Sequence, residues 1–420
     1  MRLFKLAVRN LTRNRRRTAI TLVALVVGVG AMVTLRGFIN GLQRMMLENI
    51  VHGQLGALQV HRAGYLANVL SSPLTLDMED SGDLRARIRA VPGVRAVAGR
   101  IQFGAMVSTP DVGEAPGKTS FFLATALEPE AEKEVSPKRW EWVAQGQMPA
   151  AADARALVLG ASFAEGLDIP LPQGEGKGEE EEQWPALLAA DRDGILNGEA
   201  VVLAATLHNA TPGDNRFGFV PLVTAQRLLR MEGRVTEYAV GIERMEDAAV
   251  VRDALASTLG PGYEVHTWSQ LFPFLTELTG TQDFIFSVVS SIFLVVVLLG
   301  IVNAMLMSVL ERVREIGTML AVGLRRRQVV FLFLLEGLVL GAVGGALGVA
   351  VGFAAVQWMQ AAGLHLPAPG AEIDSLIRPF VSSLYLARAL TMAVAGSTLA
   401  ALWPAYRASA LRPVEALAHV

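Results

Sequence analysis

The chain has 420 residues, of which 52% are apolar and 18% charged, with 40 glycines and a formal net charge of −2. This composition is more hydrophobic than that of ordinary soluble proteins and predicts a membrane protein, while the nearly balanced charge gives no indication of a nucleic-acid partner. The absence of cysteine excludes disulfides, thiolate metal sites and cysteine nucleophiles, and the six scattered histidines show no metal-binding spacing.

The first predicted elements are a surface helix and a membrane span. Apolar residues recur at helical spacing in residues 3–11, with basic side chains on the other side, which predicts an amphipathic helix on the inner membrane surface. The uncharged run 18–35 is long enough to cross hydrocarbon. A cleaved signal peptide is the alternative, which the long basic and apolar regions disfavour. Apolar spacing continues to residue 50 and predicts a stalk beyond the membrane.

The long polar segment that follows contains a weak internal repeat. Each copy is typical of strand, helix, Pro-Gly turn and strand, the first within residues 57–103 and the second within residues 237–268. Two such units can pair into a sheet that carries its helices on one face. Between them we expect a second lobe at about 125–200, with a solvated acidic loop at 173–183.

Two motifs in this segment resemble catalytic sites, but neither has the residues that the chemistry needs. GEAPGKTS at 113–120 is one residue short of a phosphate-binding loop, and Pro116 removes a backbone N–H donor. GASFA at 160–164 is similar to a nucleophile elbow, but no companion His and Asp can be placed beside Ser162. We therefore predict no catalytic residue in this chain.

Three further spans are predicted near the C-terminus, at 284–310, about 328–360 and 389–406. Residues 1–17 contain seven basic side chains and no acidic one, and the loop 311–327 contains five arginines against two glutamates. Because basic loops stay in the cytoplasm, both termini are expected inside and the large domain outside.

The third span contains small residues at every fourth position and one carboxylate. Such faces allow close helix packing, either within one subunit or between two. Glu336 is an intramembrane carboxylate, either functional or bonded to a neighbouring arginine or helix end. The predicted packing glycines are Gly337, Gly341, Gly344, Gly345, Gly348 and Gly352.

The segment between spans two and three is the most informative. In ERVREIGTMLAVGLRRRQVVFLFLLEG, residues 311–337, the positions Val313, Ile316, Gly317 and Leu320 recur at helical spacing. This predicts a short cytoplasmic helix that can transmit force between two spans. A connecting loop whose charges only enforce topology is the alternative.

These residues carry a family resemblance. The pattern E-R-x-R-E-I-G-x-x-x-A-x-G from residue 311, and PAYRASALRPVEAL at 404–417, resemble the FtsX-like permease domain of MacB-type (type VII) ABC transporters. VPLVTAQRLL at 220–229 and VHTWSQLF at 265–272 are similar to parts of the outer domain of this family. LQVHRAGY and WSQLF look closest to the LolC and LolE lipoprotein-releasing permeases.

The resemblance implies an α-helical membrane protein with four transmembrane helices and a large α+β extracytoplasmic domain, of the MacB-like periplasmic type, inserted between helices 1 and 2. Residues 1–44 would hold the amphipathic helix, the first span and the start of the stalk, and residues 45–282 a two-lobed extracytoplasmic domain. Residues 283–420 would form the permease domain, with a coupling helix at about 311–323. The expected location is the bacterial inner membrane.

In such transporters a cytoplasmic ATPase dimer contacts the coupling helix. By residue-to-residue match, this contact would comprise Glu311, Arg312, Arg314, Glu315, Ile316, Gly317, Ala321 and Gly323. No fused ATPase domain is recognised in the sequence, so we expect a separate ATPase that uses ATP and Mg²⁺, with no cofactor bound by this chain. Further expected partners are a second permease copy or paralogue, membrane lipids, a lipoprotein and a periplasmic acceptor.

The resemblance favours extraction of lipoproteins from the inner membrane. Efflux of a peptide, antibiotic or other amphiphile from the periplasm stays open, as does an FtsX-like scaffold that controls cell-wall hydrolases. A lipoprotein would need an apolar cavity open to the outer leaflet, and the alternative for each residue is simple contact with lipid or bundle core. The candidates from spans one and two are Met32, Val33, Phe38, Phe286, Val289 and Phe293.

Overall fold

A computed structural model describes residues 6, 9–10, 13, 15–71, 74–111, 116–150, 155–169, 184–208, 216–367 and 374–410. The chain folds as two compact units. The helical unit comprises Met1–Gln43, Leu278–Leu364 and Leu376–Val420, and the α+β unit comprises Arg44–Glu277 and His365–Ser375.

The helices in the described part of the chain include four long ones and several short ones. They are α1 (Arg15–Ile50), α2 (Gly82–Arg89), α3 (Pro129–Val135), α4 (Lys138–Glu141), α5 (Ala161–Gly166), α6 (Leu222–Leu228), α7 (Ala248–Leu259), α8 (Trp268–Leu271), α9 (Pro273–Glu311), α10 (Val313–Ala321), α11 (Arg326–Ala362) and α12 (Ser383–Ser409).

The strands of the described residues are short except for two central ones. They are β1 (Leu58–Arg62), β2 (Met78–Glu79), β3 (Val94–Ser108), β4 (Thr119–Leu127), β5 (Val143–Gly146), β6 (Ala156–Gly160), β7 (Ala186–Ala190), β8 (Leu196–Ala200), β9 (Val202–Leu207), β10 (Phe217–Pro221), β11 (Arg234–Val235), β12 (Glu237–Ile242), β13 (Tyr263–Thr267), β14 (Leu364–Pro367) and β15 (Asp374–Ile377).

The four long helices α1, α9, α11 and α12 are apolar and long enough to cross a membrane, and each contains one predicted span. The four-span prediction is therefore confirmed. Helix α1 has 36 residues, or about 54 Å at 1.5 Å per residue, so it is longer than the hydrocarbon core requires. A π-helical turn, Val51–Leu55, follows it directly, as the predicted stalk requires. Most of residues 1–14, the predicted surface helix, lie outside the described residues.

Two faces of α11 pack closely against two neighbouring helices. A Cβ added at Gly337 would lie 2.7 Å from Ala401 Cβ on α12, whereas one added at Gly348 would lie 2.8 Å from Val29 Cβ on α1. The first face consists of Gly337, Gly341 and Gly345, and the second of Gly344, Gly348 and Gly352. Without side chains at these positions the helix backbones approach closely, which gains van der Waals contact that lipid would not replace. Both glycine sets thus pack within one chain.

The α+β unit is built on one large mixed sheet. Its described strands follow the order β13-β1-β12-β3-β4-β10-β6-β9-β5, and β7 pairs with both β3 and β8. The two repeats interleave at one end, because β1 of the first lies antiparallel between β12 and β13 of the second. The repeat predicts that the two units join in one sheet, and the structure adds that their strands interleave.

One face of this sheet is covered by helices and forms the main core. Leu84 and Ile88 of α2 and Val251 and Leu255 of α7 pack in one buried cluster with alternate residues of the strands. A local signal starts α2, since the Ser81 side chain accepts a hydrogen bond from the Leu84 N–H. The α+β class and its place between spans one and two are confirmed.

The segment predicted as an inserted lobe, 125–200, adds β5, β6, β7 and β8 to this same sheet. Its acidic loop, 173–183, lies outside the described residues, as do residues 113–115 of the GEAPGKTS stretch and residues 411–417 of the C-terminal motif. Thr119 and Ser120 begin strand β4, whereas a phosphate-binding loop leads into a helix.

Candidate functional site

The short helix α10 is held between two long membrane helices. At Arg312 the backbone leaves the helical region, with φ −115° and ψ 16°, so α9 ends at Glu311 and α10 begins at Val313. At the other end, Gly323 has a φ of +99°, a conformation that glycine adopts at little cost. Helix α11 then begins after Arg325.

One face of α10 packs into the helical unit. Ile316 is 1% exposed and lies in a cluster with Val309 of α9, Val329 and Phe333 of α11 and Ala405 of α12. Gly317 is buried beside it. The apolar periodicity of this segment therefore serves internal packing, which fixes α10 to the ends of three membrane helices.

The opposite face of α10 is exposed. Its exposed residues follow Arg314 at intervals of four, seven and eight residues, which places them on one side of the helix; they are Thr318, Ala321 and Val322. Val322 is 84% exposed although it is apolar. A cationic residue beside exposed apolar ones forms a surface that a partner protein can cover.

Ion pairs connect this helix to the N-terminal segment. Arg17 Nη2 lies 2.5 Å from Glu311 Oε1, and Arg13 Nη2 lies 2.7 Å from Glu315 Oε1. The hydrogen bond from Arg13 lowers the pKa of Glu315, and a second bond from Arg312 acts in the same direction. Glu315 is therefore a carboxylate at neutral pH.

A more deeply buried pair lies beneath these surface contacts. Arg312 Nη1 donates to Glu336 Oε1 at 3.2 Å, and Asn10 Nδ2 donates to the same oxygen at 2.7 Å. The side chains of Arg312 and Glu336 are 10% and 3% exposed. Glu336 thus ties α11 to the start of α10 and to the N-terminal segment.

The structure divides the predicted ATPase-contact residues into two groups. Arg312, Ile316 and Gly317 point into the helical unit, whereas Glu311, Arg314, Glu315, Ala321 and Gly323 are exposed. The exposed residues can contact a partner directly, whereas the buried residues can only hold the exposed ones in position. Contact with an ATPase stays a prediction.

The predicted substrate residues do not share one environment. Met32, Val33 and Phe286 are buried, and Val33 packs against Gly352 of α11. Phe286 lies near Tyr385, with a ring-centroid distance of 6.4 Å. Phe38 and Val289 are half-buried, and Phe293 is 46% exposed.

A groove between α1 and α9 is lined by other residues and has a volume of about 570 Å³. Ile20 and Thr21 contribute from α1, and Val297, Asn303 and Met307 from α9. Within the described residues, no group of three or more His, Asp or Glu side chains is arranged to hold a metal ion.

Sequence reasoning missed Asn10, Arg13 and Arg17 as partners of the coupling segment. The sequence pattern predicts a surface helix and membrane orientation for Arg13, orientation alone for Arg17, and no role for Asn10. A signal was present, because Arg13 and Arg17 are four residues apart, as are Glu311 and Glu315, so two pairs of the same spacing can align.

Family models cover most of the chain. Residues 18–258 match the MacB-like periplasmic core domain, and residues 287–413 match the FtsX-like permease C-terminal domain. The chain belongs to the MacB/FtsX family of ABC transporter permeases. Four membrane helices and a periplasmic-type domain fit a protein of the bacterial inner membrane.

Curated relatives of this permease are longer than it is. It is 27% identical over 440 residues to the macrolide export ATP-binding/permease protein MacB of Marinobacter nauticus, covering 99% of this chain and 60% of the relative. The corresponding MacB of Nitrobacter winogradskyi is 26% identical over 408 residues, covering 96% and 58%. The permease therefore spans about 60% of the length of the relatives that it matches.

Two solved structures are similar to part of the permease. The extracellular domain of the transporter YknZ from Gram-positive bacteria has 13% identity and a TM-score of 0.32, covering 50% of this chain and 100% of that domain. The periplasmic region of MacB from Actinobacillus actinomycetemcomitans has 10% identity and a TM-score of 0.33, covering 57% and 97%.

Proposed function

We propose that this permease transmits the free energy of cytoplasmic ATP hydrolysis, by a separate ABC ATPase dimer, to its extracytoplasmic domain. The observation that carries the proposal is the two-sided helix α10. Its inner face is fixed to three membrane helices through Ile316, and its outer face exposes Arg314 and Val322. A helix held in this way passes on a displacement applied to its outer face instead of absorbing it.

The permease itself would then be a transporter subunit and not an enzyme. ATP and Mg²⁺ would be used by the partner, with both termini and α10 on the cytoplasmic side. Because an ATPase dimer offers two equivalent docking sites, a second permease copy or a paralogue would complete the assembly.

Replacement of exposed Val322 by Glu tests the coupling. The permease is co-expressed with a candidate ABC ATPase that lacks a fused permease, and ATPase activity is measured in lipid nanodiscs. We expect Val322→Glu to lower copurification or permease-stimulated hydrolysis about tenfold, which corresponds to about 1.4 kcal/mol. Val250→Glu is the matched control, because Val250 is also exposed, at 69%, but lies on α7 in the α+β unit. Equal activities for the two variants would contradict the proposal.

For the cargo, we propose a lipoprotein extracted from the outer leaflet of the inner membrane. The support is the similarity of LQVHRAGY and WSQLF to lipoprotein-releasing permeases. Efflux of an amphiphile is the second candidate, because the relatives are named macrolide export proteins.

Native mass spectrometry of the permease–ATPase complex distinguishes these cargoes. Triacylated lipoprotein that copurifies with the wild type, and is lost with Phe293→Glu but retained with Phe121→Glu, would support lipoprotein release. Both phenylalanines are exposed, at 46% and 57%, but Phe121 lies in β4. An empty complex with unchanged ATPase activity would favour efflux or the FtsX-like scaffold.

A further inference from the structure

The second face of the large sheet in the α+β unit is unusually polar. Glu237 of β12 lies directly opposite both His61 of β1 and Arg100 of β3, and Gln102 lies opposite Thr125 of β4. Residues in direct register, and those two positions apart, point to the same side of a sheet. Polar side chains from four adjacent strands therefore share the face opposite the helix-covered core.

A cavity of about 340 Å³ lies against this polar face. Trp142, Phe217, Phe219 and Phe272 line it, and polar side chains that include Glu237 also line it. Its volume falls within the range of small-molecule sites, which are mainly apolar with a few polar groups that fix orientation.

The arginines beside the cavity already donate hydrogen bonds to acceptors within the protein. All five N–H groups of Arg100 have acceptors: both Glu132 oxygens, Ser136 Oγ, the Leu55 carbonyl and Glu237 Oε1. These guanidinium donors are therefore not available to an anionic ligand.

The second arginine, Arg139, also donates to acceptors within the protein through all three of its nitrogens. It donates to Glu132 Oε1 at 3.0 Å and to the carbonyls of Gly53 and Gln54, and its guanidinium lies 4.3 Å from the centre of the Phe219 ring. Burial lowers the pKa of Arg139 to about 10, against the opposing effect of Glu132, so it remains charged at neutral pH.

Glu237 is less well satisfied than its neighbours. Its Oε1 receives Arg100 Nη1 at 3.4 Å, and its Oε2 lies 3.5 Å from His61 Nε2, both longer than ordinary charge-assisted hydrogen bonds. Burial opposes ionisation, but His61 and Arg100 keep the pKa of Glu237 below its ordinary value. A buried carboxylate with spare acceptor capacity favours a hydrogen-bond donor or a cation.

A second unsatisfied group lines the same cavity. Tyr65 is 1% exposed, and its hydroxyl has no hydrogen-bond partner in the structure. Its ring stacks on His61, with centroids 4.0 Å apart. Buried polar groups without partners are uncommon in folded proteins and call for an explanation.

We propose that this cavity binds a small amphiphile with an aromatic or alkyl body and an amine head, the amine meeting Glu237 and Tyr65. The aromatic wall accommodates the body, because rings stack or meet edge-to-face at little conformational cost. Arg100 and Arg139 direct their hydrogen bonds to protein acceptors, so Glu237, whose contacts with Arg100 and His61 are both long, is the charged group with capacity left for a ligand. This binding is independent of the ATPase coupling proposed above.

The test uses three probes with one body and different heads: 4-phenylbutylamine, 4-phenylbutanol and 4-phenylbutyrate. Binding to the full chain in nanodiscs is measured by isothermal titration calorimetry, with empty nanodiscs as the reference. We expect one amine per chain, bound at least about tenfold more tightly than the carboxylate. Heat equal to that of empty nanodiscs, or carboxylate binding as tight as amine binding, would overturn the proposal.

Two variants distinguish binding at this site from nonspecific binding. Glu237→Gln should abolish the preference for amine over carboxylate but leave alcohol affinity within about twofold, and Glu199→Gln, on β8 and paired with Arg227, should change nothing. An unaltered preference in Glu237→Gln would refute the assignment.

If Glu237→Gln fails to fold, Tyr65→Phe provides the decision. It removes a hydroxyl that has no partner in the protein, so the fold should be retained. We expect it to weaken amine and alcohol binding several-fold, and unchanged affinities for both would count against the site.

Discussion

At the residue scale, the helical unit contains a charge pair that water barely reaches. Arg312 and Glu336 satisfy one another, with Asn10 as a third member. Removing two charges from water is costly, so a buried pair adds little net stability, but loss of one partner leaves the other charge unpaired. The pair therefore determines where α10 docks more than it stabilises the fold.

Arg312→Met tests this assignment. We expect it to cost about 3–5 kcal/mol, whereas the double variant Arg312→Met/Glu336→Leu should recover most of that loss because no buried charge is left alone. Thermal unfolding in detergent, followed by tryptophan fluorescence, measures both. A double variant that is no more stable than the single one would contradict the buried-pair account.

The α+β unit offers a pH-dependent residue pair. Burial lowers the pKa of His266 below its ordinary value of 6.5, and the neighbouring His61, 3.4 Å away between Nδ1 atoms, adds to this effect. His266 therefore takes up a proton more readily in the unfolded chain than in the folded one. The free energy of unfolding keeps its full value above about pH 6.5 and decreases below that pH, by at most about 1.4 kcal/mol per pH unit.

His266→Asn should remove this contribution to the pH dependence. As the pH is lowered from 8 to 5, the unfolding temperature of the wild type should fall more than that of the variant, because only the wild type carries the histidine that must be protonated. Parallel curves of unfolding temperature against pH across the whole range would show that His266 does not contribute to the pH dependence of stability.

At the element scale, the close approach of α11 to its neighbours depends on glycines, which have no side chain. A Cβ at Gly341 would clash with Ser397 Oγ and would lie 2.9 Å from Val394 Cα, which is backbone and cannot rotate away. In contrast, a Cβ at Gly300 on α9 would meet nothing within 4 Å. Both glycines lie inside apolar membrane helices, so only the packing distinguishes them.

Gly341→Ala should therefore destabilise the protein by about 1–3 kcal/mol, the usual cost of overpacking a core. Gly300→Ala is the matched control and should stay within about 0.5 kcal/mol of the wild type. Thermal unfolding in the same detergent compares the two, and equal losses would mean that α11 and α12 do not pack as described.

At the scale of the whole molecule, orientation follows from the segregation of basic residues and stays a prediction. The natural absence of cysteine makes it directly testable with single-cysteine variants. Thr318→Cys on α10 and Asp193→Cys in the turn before β8 are both at exposed positions.

A membrane-impermeant maleimide applied to the outer side of intact inner-membrane spheroplasts should label Asp193→Cys and spare Thr318→Cys until the membrane is permeabilised. The reverse pattern would overturn the assigned topology and, with it, the ATPase-contact proposal.

The sequence alone determined the four spans, the stalk and the repeated strand–helix–strand units, because each depends on a local pattern of period or length. It also predicted α10 as a separate helix, with a connecting loop as the alternative, since Val313, Ile316 and Gly317 carry the helical period. These features depend on residues that are close together in the sequence, so they can be predicted without knowledge of the fold.

Only the tertiary structure decided which side of α10 is buried, which helix each glycine set meets, and that Glu336 is bonded to Arg312 and Asn10. The cavity beside Glu237 was equally hidden, because its polar residues come from strands far apart in the chain that register alone places side by side. Helical periodicity predicts that a helix has an apolar face, but it does not show which element packs against that face. A buried ion pair can be predicted only when the fold shows which two residues meet.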